Sequence, residues 1–130
     1  MVYRVVNKKR PVNLDITTMS MPITAVVSIL HRVTGIILFI GLAFLFYAFD
    51  LSLESQEGFD KVVSTLETSF LAKFVIWGVV SALMFHFVAG IKHLFMDLGH
   101  FEELESGQAA AKANIVIAGI LILVVGVWIW

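Results

Sequence analysis

The stretch Val33–Phe49, "VTGIILFIGLAFLFYAF", runs without a charged side chain, and Asp50 closes it. Such a run is too long and too uniformly apolar for one face of a soluble helix. Its start is odd. The residues just before it, Ser28–Arg32, read "SILHR" and place a histidine and an arginine at the head of a segment otherwise suited to lipid. An arginine entering a membrane is expensive, so it has a partner, a job, or a route back to the headgroups.

Pro22 suits the beginning of this helix, because its missing N–H would be unpaired there anyway. From Pro22 to Phe49 a helix would span roughly 40 Å, enough to cross the hydrocarbon and both headgroup layers. Two more blocks share this character. Phe70–Met96 holds only Lys73 near one end, His86 inside, and Lys92 and His93 near the other. Ala109–Trp130 has no polar side chain past Asn114 except Trp128 and Trp130, which suit an interfacial aromatic belt.

The whole chain agrees with this pattern. Of its 130 residues 59% are hydrophobic and only 15% charged, and its mean hydropathy is +0.94. Soluble domains carry more charge. A net charge of -1 offers nothing to nucleic acid. With no cysteine, the chain holds no disulfide, thiolate zinc site or iron–sulfur cluster. The basic start, "MVYRVVNKKRPVNLD", is not followed closely by a short apolar stretch with a cleavage site, so no removable signal peptide is expected.

The expected fold is therefore an all-α membrane protein with three transmembrane helices, since helices satisfy their own backbone polar groups in lipid. The expected boundaries are a tail over about 1–21, spans over 22–50, 70–97 and 109–130, and connections over 51–69 and 98–108. Within the first connection "SQEGFDKVVSTLE" could form a short surface helix. The second, "DLGHFEELESGQ", reads as a compact turn with Gly99 and Gly107 as breakers. Arg4, Lys8, Lys9 and Arg10 in the tail, with Lys92 and Lys112 flanking the second connection, outweigh Lys61 and Lys73 beside the first. Lys and Arg set orientation, so the N-terminus is expected in the cytoplasm and the C-terminus in the periplasm. Three spans make a small bundle, which suggests a subunit.

Two places carry chemistry. His86 lies 13 residues from Lys73 and 11 from Asp97, which puts it near mid-membrane. Ala82, Ala89 and Gly90 flank it at i−4, i+3 and i+4. These small residues either let a neighbouring helix approach, with His86 bonding across the interface, or leave a groove for a flat cofactor with His86 on its iron. Ser28 and Arg32, four apart, share a helix face. Arg32 stands about 15 Å into the helix, level with Lys92 and His93. A hydroxyl and a guanidinium there can hold a carbonyl or carboxylate, with His31 and His93 as switchable donors nearby. The alternative is that Arg32 only snorkels to lipid phosphate. Asp97 and the acidic "HFEELE" turn fit a solvated loop or docking surface better than catalytic carboxylates.

In order, "RPVNLDI", "SILHRVT" and "HFVAGIKHLFMDLG" resemble the signature regions of the cytochrome b556 family of succinate dehydrogenase membrane anchors. The motifs are Arg10-Pro11, then Ser28-x-x-His31-Arg32-x-Thr34, then His86-x-x-x-Gly90-Ile91-x-His93-x-x-x-Asp97-x-Gly99. The resemblance covers nearly the whole chain and extends to its length and three-span layout.

It implies a subunit of respiratory complex II in a bacterial inner membrane. There a flavoprotein subunit oxidises succinate, an iron–sulfur subunit carries the electrons, and two small anchor chains complete a ubiquinone site. It further implies one haem b shared between the two anchors, so that this chain is half of a heterodimeric haem-binding bundle. His86 matches the axial ligand, Ser28 and Arg32 the quinone residues, and His31, Arg32, Gly90 and His93 the vicinity of the haem propionates or pocket. The chain departs from the family pattern at Lys92, where arginine is common, which replaces a forked donor by a point charge. A haem-free anchor of the fumarate reductase type and a non-redox assembly subunit are the competing readings.

Overall fold

A computed structural model describes residues 14–15 and 18–130, which form four helices and no strand among the described residues. Helix α1 spans Ile23–Glu54, α2 Gln56–Thr68, α3 Phe70–Asp97 and α4 Leu104–Ile129. Helices α1, α3 and α4 are each long and apolar enough to cross a membrane. The tail charges Arg4, Lys8, Lys9 and Arg10, and Pro11, lie outside the described residues.

Pro22 is the N-cap of α1, with extended backbone. The helix runs past Asp50 to Glu54. A carboxylate ends the apolar span but does not break a helix, and no Gly or Pro intervenes. Ser55 does break it, because its side chain accepts a hydrogen bond from the Gly58 N–H at 3.0 Å and so caps α2. A Cβ at Gly58 would overlap the Leu51 carbonyl oxygen, so glycine is what lets α2 fold tightly against the end of α1. One residue, Ser69, joins α2 to α3. Its N–H closes α2 on the Thr65 carbonyl, and its hydroxyl accepts from Ala72 N–H to cap α3.

The α3–α4 connection is shorter than the sequence suggests. Gly99 takes a left-handed turn at φ 83° after α3, as a C-terminal glycine does. Gly107 breaks nothing and lies in the first turns of α4. A Cβ there would press to 3.1 Å from the Phe101 carbonyl oxygen, so its smallness lets the connection close against the helix.

The bundle packs through small residues. Ala82 and Ala89 on α3 and Ala111 and Ala118 on α4 are buried, and Val27, Ala89 and Ala111 form the centre where three helices meet. Lower down, a Cβ at Gly41 would stand 2.9 Å from Val79, and one at Gly126 would stand 3.2 Å from Trp77 Nε1. Trp77 Nε1 donates to the Ile122 carbonyl across the α3–α4 seam at 3.3 Å. Close backbone approach of this kind is how helices associate where lipid removes the hydrophobic drive. Large apolar side chains point outward instead: Phe39 is 80% exposed and Val127 84%. Their solvent is the hydrocarbon. Phe70, Phe74, Trp77 and Trp130 cluster at the end where α4 finishes, a position suited to the aromatic belt.

Candidate functional site

The α1–α3 contact brings together the two motif-bearing stretches. His86 points at α1, and a Cβ at Gly35 would stand 3.2 Å from its Cε1. The Nδ1 of His86 lies 3.1 Å from the His31 carbonyl oxygen and 3.2 Å from the Thr34 hydroxyl. That hydroxyl also donates to the His31 carbonyl at 2.9 Å, as a helical threonine can. A carbonyl only accepts, so Nδ1 is the protonated nitrogen. In a neutral ring Nε2 then keeps its lone pair, and it makes no hydrogen bond among the described residues.

His31 does not stand apart from this. Its ring stacks on His86, with centroids 4.1 Å apart and planes 25° from parallel. The His93 ring is tilted against it, with centroids 5.1 Å apart and planes 39° from parallel. His31 of α1 thus touches the rings of two histidines of α3 but stacks on one of them. Gly90 lies beside it, and a Cβ there would stand 3.8 Å from His31 Nε2, an ordinary contact. That Nε2 is buried and has no hydrogen-bond partner in the chain.

Ala82 and Ala89 are buried in the bundle, the imidazole of His86 stands opposite Gly35, and His86 hydrogen-bonds across the α1–α3 interface. Beyond Gly35 an apolar groove of about 490 Å³ runs between α1 and α3, lined by Leu38, Phe39, Leu42, Val79 and Leu83. No group of three or more His, Asp or Glu among the described residues is arranged to hold a bare metal ion. One ring with its Nδ1 tethered and its Nε2 without a hydrogen bond is a donor that would suit the metal of a flat macrocycle.

Ser28 and Arg32 are separated. Ser28 lines a polar cavity of about 300 Å³ with Thr24, Lys92, His93, Glu102 and Glu103. Arg32 is exposed on the outside of α1 and does not line it. Four residues turn a helix by 400°, about 40° past a full turn, and here the edge of the α1–α3 contact falls in that interval. A ligand touching both would sit at this edge, with Ser28 on the inner side and Arg32 on the outer. Asp97, Glu102 and Glu103 are exposed, and the two glutamates stand at the mouth of the cavity.

Three features escape a reading by spacing. Lys92 is buried at 8% exposure; being near a helix end, it reads as a snorkelling lysine. Asn114 is 2% exposed, with neither amide atom hydrogen-bonded, and the Ser81 hydroxyl is likewise unpaired. A lone amide or hydroxyl in an apolar run carries no spacing signal. Thr34 had one, since it stands three residues after His31, where its hydroxyl reaches back to that carbonyl.

Residues 6–127 match the family described as succinate dehydrogenase/fumarate reductase transmembrane subunit. The chain is 40% identical over 124 residues to a succinate dehydrogenase cytochrome b556 subunit of Coxiella burnetii, covering 95% of this chain and 99% of that one. It is 29% identical over 116 residues to the subunit of the same name from Paracoccus denitrificans, covering 89% and 87%. The subunit of the same name from Rickettsia conorii is 30% identical over 125 residues, covering 93% and 92%.

Proposed function

We propose, because this chain belongs to the succinate dehydrogenase/fumarate reductase transmembrane subunit family, that it is the haem-bearing anchor of a succinate:quinone oxidoreductase. Succinate oxidation and the iron–sulfur relay belong to two other subunits, the flavoprotein and the iron–sulfur protein. This chain fixes them to the bacterial inner membrane and contributes to the ubiquinone site. The observation that carries the reading is the tethered His86, with Nδ1 held by the His31 carbonyl within a helix long and apolar enough to cross a membrane.

His86 would hold haem b from one side. The chain offers one such ligand, so the second histidine comes from a second small anchor subunit. Haem, when bound, supplies a one-electron carrier. The chain's own residues serve the quinone. Its reduction takes two electrons and two protons, and negative charge develops on the carbonyl oxygens. Arg32 stabilises that charge in a low-dielectric site, and it donates no proton, because it does not deprotonate. Ser28 positions a carbonyl by hydrogen bonding and can pass a proton from the polar cavity it lines. Lys92 and His93 keep that cavity polar. A haem-free anchor would leave the free Nε2 of His86 without a purpose, which favours the haem-bearing reading.

Omitting this chain while expressing the other subunits tests the assignment. Succinate oxidation by an artificial acceptor should move from membranes to the soluble fraction, and succinate:ubiquinone reductase activity should be lost. Restoring the chain should return both. Unchanged quinone reduction in membranes without the chain would refute it.

The orientation belongs to the same proposal. The chain has no cysteine, so single cysteines report cleanly. In spheroplasts, an impermeant maleimide should label a cysteine added after Trp130 and spare one replacing Lys8. The reverse pattern would place the N-terminus outside.

A further inference from the structure

The tether at Nδ1 fixes the tautomer of His86 but leaves a degree of freedom. The terminal torsion of a histidine is broad, and two acceptors near one N–H still allow the ring to tilt about that contact. What bounds the tilt is the His31 ring, stacked at 4.1 Å and nearly parallel. His31 also contacts a second ring of α3, that of His93, at 5.1 Å. Its backbone is the same residue whose carbonyl accepts the His86 N–H. Ring and carbonyl of one residue therefore grip one imidazole at its face and its edge.

We propose that His31 is a positioning residue that sets the plane of the His86 imidazole, acting through the flat face of its ring. The resemblance alone put His31 near the propionates or in the pocket wall, whereas the stacking assigns it to the ligand. Two side-chain properties of His31 can then be separated. Its flatness is used in the stack. Its Nε2, buried and unpaired, takes no part in it. The inference rests on haem ligation by His86.

An axial imidazole interacts asymmetrically with iron through its π orbital. The orientation of the ring is therefore read directly in the g values of a low-spin ferric haem, independently of turnover. The test is electron paramagnetic resonance of the oxidised, fully assembled complex. His31→Phe keeps a flat ring and should retain the wild-type g values. His31→Ala removes the ring and leaves the backbone carbonyl; its largest g value should shift and its line broaden. Wild-type g values in His31→Ala would overturn the proposal. So would equal shifts in His31→Phe and His31→Ala, because the nitrogen and not the plane would then matter. His86→Ala separates this outcome from failure of the underlying assignment. If that variant keeps a low-spin signal, His86 is not the ligand and the inference falls with it.

Discussion

Replacing Arg32 with leucine is expected to lower succinate-driven quinone reduction by about 10²-fold or more, while succinate oxidation by an acceptor that takes electrons at the flavin survives. A quinone is neutral when it binds, so a guanidinium contributes little to ground-state affinity. Charge appears on the carbonyl oxygens only as electrons arrive, and a fixed cation then stabilises the transition state selectively. The loss should fall on kcat more than on KM. A bundle with Arg32 exposed on the outside of α1 is consistent with a ligand entering from lipid at the α1–α3 edge.

Ser28→Ala should cost less, because the adjoining cavity has room for a water that would replace one neutral hydrogen bond. The contrast between the two acceptors separates a quinone defect from failed assembly. An Arg32→Leu complex that assembles and reduces quinone at the wild-type rate would establish instead that Arg32 merely reaches the headgroups.

How far the chain could be read without its structure depends on what each signal reports. The three spans are written in uninterrupted hydropathy, which needs no knowledge of neighbours. Helix α2 was also legible, because Ser55 and the acidic residues after it mark a helix start in polar sequence. The start of α4 was less so. "ESGQ" looks like a turn, yet Gly107 serves close packing within a helix. The depth of His86 follows from helical rise alone. Its surroundings do not. Periodicity groups Ala82, Ala89 and Gly90 with His86 on one broad face, but a face in a three-helix bundle meets two neighbours. Ala89 went to the centre where Val27 and Ala111 meet it, and the imidazole went to α1. The same limit separated Ser28 from Arg32, since sharing a face within 40° does not mean sharing a pocket. The stack of His31 on His86 and its tilted contact with His93 depend on the register of α1 against α3, which no local pattern contains.

Loss of the His86 imidazole should have the largest effect on the cofactor. Disturbing an outer hydrogen-bond partner of a metal ligand typically costs about 10–100-fold in affinity, and removing the ligand itself should cost more. His31→Ala keeps the ligand, whereas His86→Ala keeps only its empty place opposite Gly35. The change removes the His86 contacts with α1 but leaves the buried Ala82, Ala89, Ala111 and Ala118 of α3 and α4 in place. The subunits should therefore still assemble, and flavin-level succinate oxidation should persist in the membrane.

The most direct measurement is the reduced-minus-oxidised visible spectrum of the purified complex, wild type against His86→Ala, with all subunits present in both. The wild-type complex should show a sharp low-spin b-type band, and the variant should lose it or convert it to a high-spin form. An unchanged low-spin band in an assembled His86→Ala complex would contradict the assignment of His86 as the haem ligand.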